Sequence, residues 1–449
     1  MGSATAGTKD EVGLGVWQLA WPTSTTFALH ALVGIVDFLI VSELGADAVA
    51  AVGIGSQVQM MQFSLFASVT MGTTALVARA VGARELDEAD RVLRTSMALT
   101  AGLGVACVAA VPLADETIAL FGVTPSVAAL ATDYFVLGLL FSAPMGVSIA
   151  LGNGLRAAGD VRTPLLFGVV SNSLNVVLDY GLVFGKWGFP AMGVRGAALA
   201  SGLAISIGTA LVFVLWAQNR LALRPRGCFR GVSWEITRRL FRIGLPSAAE
   251  GALFNVGILA FTGIIARFGT AAVGAYFIGV RILAFSFVPG IGFQVAASTL
   301  VGQHLGAQNP EEARRAGWRA TMGAMGVMSV VGLSIVLLSE PMAGWFGASG
   351  ARTVELAVVF IWILGAAQPL MAAEFALGGA LRGAGDTRFP LLAVVSGLFG
   401  GRLLAAMMVI HVFSGSVIAV WCCLFADYGI KATLLSTRFA SGRWQTISV

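Results

Sequence analysis

The sequence predicts an all-α integral membrane protein: twelve transmembrane helices in two parallel six-helix repeats. Composition predicts the solvent. Hydrophobic residues make up 57% of the chain and charged residues 11%, with a mean hydropathy of +0.86. A soluble domain carries roughly a quarter charged residues, so this chain lacks the polar surface that water requires. An internal echo predicts the repeat. Leu155–Leu166 reads LRAAGDVRTPLL and Leu381–Leu392 reads LRGAGDTRFPLL, identical at nine of twelve positions at an offset of 226 residues, half the chain. A fixed-period echo of this length signals duplication.

Twelve apolar segments of membrane-spanning length follow in order. They lie near 17–42, 50–78, 92–113, 127–155, 163–185, 191–217, 241–267, 271–303, 316–339, 352–381, 388–411 and 415–437. The link at 218–240, QNRLALRPRGCFRGVSWEITRRL, is long and charged enough to divide the chain. The expected domains are therefore 1–217, a cytoplasmic linker at 218–240, and 241–449.

Lys and Arg in the loops set the orientation. With the N-terminus inside, 22 of the 28 fall on the cytoplasmic side, among them Lys431, and four (Lys186, Arg195, Arg267, Arg352) fall outside. Arg281 and Arg402 lie within spans. Both termini are expected in the cytoplasm, and the formal charge of +5 reflects basic loops rather than a nucleic-acid partner.

The duplication runs through the whole chain. Pro22 pairs with Pro246, GADAVAAVGIG at 45–55 with GTAAVGAYFIG at 269–279, Gly82-Ala83 with Gly306-Ala307, Phe121-Gly122 with Phe346-Gly347, and Pro144 with Pro369. Six spans per copy, an even number, give both copies one orientation. Parallel repeats about an axis along the membrane normal are a transporter architecture, with the cavity between the lobes near the midplane. The 57 glycines allow close helix contact, and Pro22, Pro144, Pro246, Pro289 and Pro369 inside spans permit kinks.

Several chemistries are excluded. There is no GxxxxGK[ST] phosphate loop and no HExxH, and His30, His304 and His411 are scattered. Cys107, Cys228, Cys422 and Cys423 show neither metal nor disulfide spacing. No metal site, cofactor or enzyme activity is expected. The stretch MGSATAGTKDEVGLG lacks the apolar core of a signal peptide, and Gly2 reads as part of a plain tail.

Charges inside the membrane need an account, since a carboxylate at the bilayer centre costs about 2.5–3.5 kcal/mol. Asp37 lies about five residues from the outer end of the first span. Asp179 lies roughly 24 Å up the fifth, at 1.5 Å per residue, again in the outer half. The structural alternatives are a snorkelling Asp37 and an Asp179 that caps a helix end. Two facing carboxylates can hold a proton and release it when the cavity hydrates, which is what a proton-coupled carrier requires. Asn175, one turn below Asp179, is positioned to orient it. The repeat places Phe261 and Ala405 opposite these two acids, confining coupling to the N-terminal lobe. Glu250, four residues after Pro246, either meets a cationic substrate or ties down its span. Glu374 is expected to pair with polar groups near Arg382, and Asp427 to make a helix–helix contact. Gln57, Met60, Met61, Phe63 and Met71, with Tyr134 and Asn153, are candidates for the cavity wall, although methionine stripes are more often packing. Arg156, Asp160 and Arg162, with Arg382, Asp386 and Arg388, are read as structural ion pairs and caps at two matching cytoplasmic turns.

These stretches together resemble the multidrug and toxic compound extrusion (MATE) transporters, in particular the DNA-damage-inducible-F-like prokaryotic branch. The resemblance rests on VDFLIVSELGADAVAAVGIGSQV at 36–58, LRAAGDVRTPLL at 155–166, LNVVLDYGLVFG at 174–185, GLPSAAE at 244–250, VPGIGFQVAASTLVGQHLGA at 288–307 and LRGAGDTRFPLL at 381–392. It implies a V-shaped two-lobe fold and export of organic, often cationic, drugs by cation-coupled antiport. Asp37, Asn175 and Asp179 match its cation-coupling positions, and Glu250 a substrate-side P-x-x-x-E position. Gln57, Met60, Tyr134 and Asn153 complete the expected substrate wall. The coupling ion is expected to be H+, with Na+ as the alternative. A sodium-linked branch carries acids where this chain has Phe254 and Met371, which disfavours a sodium site in the C-terminal lobe. A lipid-linked sugar flippase of related fold is the other transport reading; it needs a cationic cavity, whereas this one is expected to be acidic. The expected setting is the inner membrane, with the lipid bilayer and small-molecule drugs as partners and the chain as a monomer.

Overall fold

The computed structural model describes residues 15–218, 221, 223, 232–345, 350–413 and 415–447, except the side chains of Met61, Trp216 and Ala217. Eleven of the 23 residues of the expected linker, Cys228 among them, lie outside the described residues, as do Phe346-Gly347 and the first fourteen residues. All regular structure among the described residues is helical.

Among the described residues eleven helices are long and apolar enough to cross a membrane, and one bent pair supplies a twelfth. In order, spans 1–3 are Val16–Ser42, Ala46–Gly82 and Leu86–Val108. Span 4 is Pro125–Leu140 with Ser142–Ala157, and spans 5 and 6 are Arg162–Phe184 and Val194–Ala217. Spans 7–9 are Trp234–Ala266, Thr270–Gly306 and Pro310–Leu337. Spans 10 and 12 are Ala351–Gly383 and Val417–Ala440, and span 11 runs from Arg388 to His411. Span 7 starts inside the stretch expected to be linker, at Trp234, where the Ser233 side chain accepts a hydrogen bond from Ile236 N. Two segments read as regular spans are not. Span 4 bends by 54° at Phe141. Pro144 has no N–H for the carbonyl four residues earlier, so the helix breaks there, and the Phe141 ring packs against Gly202. Span 11 widens to a π-helix over Val395–Leu404. Gly397 and Gly401 in that stretch lie directly against Asp427 of span 12, where a Cβ would have no room.

The repeat is legible in the backbone. Gly45 and Gly269, which open spans 2 and 8, take φ of 102° and 90°, values a side chain rarely tolerates. Arg84 and Gln308, after the paired Gly-Ala steps, take φ of 62° and 57°, and Gly159 and Gly385 take 91° and 87°. The aspartates of the two echoed turns cap the following helices. Thr163 donates from its N at 3.0 Å and its Oγ1 at 2.7 Å to Asp160. Asp386 accepts from Phe389 N at 3.4 Å and from Arg438 Nε at 2.8 Å.

Spans 1 and 2 pack against spans 7 and 8, joining the two lobes. The tightest approaches cluster at the face carrying the connections after spans 2, 4, 8 and 10, the basic face. There Gly82 lies against the Gln303 carbonyl, Gly306 against the Arg79 carbonyl and Gly244 against the Ser68 carbonyl, each with no space for a Cβ. Arg79 Nη2 donates to Ala384 O at 3.0 Å and Gln303 Nε2 to Ala157 O at 2.8 Å. Arg239 Nη1 and Glu88 Oε1 pair at 3.1 Å. The lobes are closed at the basic face and part toward the other, a V with its cleft between spans 2 and 8.

Candidate functional site

Span 1 packs on span 5, and that contact brings Asp37 and Asp179 side chain to side chain. Asp179 is fully buried and Asp37 half-buried. Oδ1 of Asp37 and both carboxyl oxygens of Asp179 have no hydrogen-bond donor among the described residues. Two carboxylates facing without a counter-ion repel, and a proton held between them removes that repulsion and supplies the missing donor. Tyr134 of span 4 reaches the same place, its hydroxyl directed to Ser56 of span 2 beside both acids. Gly55 makes room for it: a Cβ there would stand 2.5 Å from the Tyr134 ring. Asp37, Asp179 and Tyr134, separated in sequence, thus form one cluster, and Ser56 joins it without having been singled out.

Other expected members go elsewhere. Asn175 Nδ2 donates to Ser201 Oγ of span 6 at 3.1 Å, and its Oδ1 is buried without a donor. Asn175 therefore braces span 5 against span 6 and does not orient Asp179. Asn153 Oδ1 accepts from Arg156 Nη1 at 3.0 Å, while the Arg156 guanidinium lies 5.6 Å from the Phe27 ring centroid. Arg156 is thus turned into the lobe, away from the expected ion pair with Asp160. Gln57 and Met60 are exposed on span 2.

The C-terminal lobe corrects further expectations. Glu250 is paired with Arg382, both largely buried, so it offers no free negative charge to a cationic substrate. Glu374 pairs not near Arg382 but with Lys431 Nζ, at 3.1 Å. Lys431, counted from sequence as a cytoplasmic charge, is fully buried and also 3.1 Å from Asp427. Asp427 in turn meets Arg402 at 2.5 Å. These contacts around Asp427 are close but poorly aligned as hydrogen bonds. Lys431 lies 5.0 Å from the Tyr428 ring centroid and Arg402 5.3 Å from it. Three acids and three bases balance within the lobe. The signals in sequence were Asp427 and Lys431 four apart on one helix face and Arg402 inside a span; nothing local indicated that they meet one another and Glu374.

Comparison with known proteins places the fold in a family. The MatE family pattern matches residues 22–181 and 246–413, once in each repeat. A protein of Thermotoga maritima named "Probable multidrug resistance protein NorM" is 31% identical over 442 residues, covering 96% of this chain and 93% of its own. The "Uncharacterized transporter YisQ" of Bacillus subtilis is 25% identical over 440 residues, covering 96% and 94%. Among solved structures, the outward-facing conformation of a multidrug resistance MATE family transporter of the MOP superfamily superposes with a TM-score of 0.88 at 22% identity, covering 95% and 96%. A mutant of the Vibrio cholerae MATE transporter VcmN superposes at 0.86 with 20% identity, covering 96% and 98%. At those identities the structures speak for the fold alone. The family pattern spans most of both repeats, and a relative above 30% identity runs nearly the full length, so this chain is a member of the MatE family of membrane transporters.

Proposed function

We propose that this chain is a secondary active exporter of organic compounds, driven by proton antiport, with Asp37 and Asp179 as the coupling pair. The observation that carries this is the facing of two intramembrane carboxyls with no hydrogen-bond donor and no basic side chain paired to them among the described residues. The relatives' names, which speak of multidrug resistance and transport, supply the cargo class. The basic face lies in the cytoplasm, following the positive-inside rule, with both termini there in the cell membrane. The cleft then opens outward, and a proton arriving from outside neutralises the pair. Rocking of the lobes carries the proton inward and the emptied cleft toward new cargo. The chain works as a single copy in the bilayer, and its only coupling partner is H+, with no resident cofactor. For each proton exchanged, the pH gradient supplies about 1.4 kcal/mol per pH unit, roughly a tenfold drug gradient.

The test is drug efflux from proteoliposomes with pH gradient, sodium gradient and potential imposed separately. Asp37→Asn and Asp179→Asn should each abolish pH-driven export while retaining part of the drug binding, since asparagine mimics the protonated acid. Full pH-driven transport by either variant, or export driven by sodium alone, rejects the assignment.

A further inference from the structure

We propose that Arg281 is the charge-selecting residue of the cleft and that the preferred cargo is an aromatic compound bearing a carboxylate. The proposal deepens the exporter reading and rests on the cleft being its cargo site.

The placement of Arg281 follows from one face of span 8. In the closed half, Gly292 lies against Ser24, Gly302 against Ala78 and Gly306 against Arg79 of the other lobe, and Thr299 Oγ1 donates to Arg156 O at 3.3 Å. These residues recur at helical spacing on a single stripe. Continued toward the open half, the stripe passes through Phe285, Arg281 and Phe277, all exposed. The face that touches the N-terminal lobe below therefore looks across the cleft above. On span 2 the stripe through Gly82, Arg79, Gly72 and Ser68, which meets the C-terminal lobe below, continues up to Gln57. Gln57 and Arg281 occupy matching positions of the two repeats, at offset 224.

Solvation gives the same placement independently. Arg281 is the twelfth residue of span 8, about 17 Å along the helix from its start at 1.5 Å per residue, near the middle of a hydrocarbon core about 30 Å thick. It is exposed and makes no hydrogen bond, ion pair or ring contact among the described residues. A lone guanidinium at that depth facing lipid is costly, so such groups face a water-filled cavity.

The charge balance gives the cargo. Glu250 and Glu374, acids in the interior of spans 7 and 10, are matched by Arg382 and Lys431. Asp37 and Asp179, with one proton between them, keep a single negative charge between spans 1 and 5 of the N-terminal lobe under the reading above. On the opposite wall Arg281 has no counter-charge among the described residues and is flanked one turn either way by Phe277 and Phe285. A planar fork of donors between two aromatic rings suits a carboxylate on an aromatic body.

Binding to the detergent-purified full chain, which needs no gradient, tests this separately from coupling. The probes are a rhodamine with a free benzoate and the methyl ester of the same dye. The chain should bind the acid about tenfold more tightly than the ester, the worth of one charge-assisted hydrogen-bonded contact. Arg281→Gln should erase that preference with ester affinity within about twofold, which also reports an intact cleft, and Arg281→Lys should retain part of it. An ester preference in the unaltered protein, or an acid preference surviving Arg281→Gln, overturns the proposal. If Arg281→Gln does not fold, an undiminished acid preference in Arg281→Lys overturns it instead, since lysine lacks the planar fork. Loss of pH-driven transport with the acid preference intact would sink the coupling reading alone.

Discussion

Arg402 Nη2 lies 2.5 Å from Asp427 Oδ2, with the two side chains 3% and 0% exposed. Burying two charges is costly, and their attraction offsets that cost only while both are present. Asp427→Asn strands Arg402, leaves Lys431 with Glu374 alone, and should cost about 3–5 kcal/mol, seen as a large drop in the melting temperature of the purified protein. Joint replacement, Arg402→Met with Asp427→Leu, leaves Lys431 its pair with Glu374 and should recover much of the loss. A double variant no more stable than Asp427→Asn would mean that the network acts other than by charge balance.

Asp37 and Asp179 should behave as one unit. If they share a proton, the double substitution to asparagine should abolish no more pH-driven efflux than either single one, because the second change removes nothing still working. Residual transport that falls stepwise from single to double variant would show two independent sites.

Gly55 and Tyr134 should be coupled through contact. Gly55→Ala puts a methyl into the Tyr134 ring and should weaken drug binding severalfold at normal membrane abundance. Adding Gly55→Ala to Tyr134→Ala should then cost little. An equal penalty in both backgrounds, measured by a double-mutant cycle, would separate the two residues.

Closure at the basic face should depend on main-chain contact more than on charge. The Glu88–Arg239 pair is partly exposed, at 19% and 33%, and such pairs contribute about 0–1 kcal/mol. Glu88→Ala should shift the population of the closed face by less than about fivefold. Gly306→Val, which drives a side chain into the Arg79 carbonyl, should open that face almost completely. Paired spin labels at the ends of spans 2 and 8 would read both; the reverse order of effects would assign the closure to the ion pair.

The architecture was legible because membrane spans are long and monotonous and because the duplicated chain annotates itself. The same comparison isolated Asp37 and Asp179, acids whose counterparts are Phe261 and Ala405. What sequence could not supply was direction. Asn175 sits one turn from Asp179 but rotates toward Ser201, and nothing local decides between those partners. Arg156 and Arg382 were assigned to loop ends because they close their helices, yet both long side chains reach back into the lobes. Lys431 was misplaced for a related reason: span 12 continues to Ala440, so a residue near the apparent end is an interior one. The bend at Phe141 has a local cause in Pro144, but the π-helix at Val395–Leu404 lies against Asp427 of the next span, a contact that no window of sequence contains.

The lobes meet through glycines seated on carbonyl oxygens. Main-chain atoms are the same whatever residues surround them, so the joint between the lobes makes almost no demand on side-chain identity elsewhere. The walls of the cleft are then free to vary without disturbing the contact that joins the lobes. A lineage built on this joint can change what it exports one substitution at a time, and keep exporting throughout.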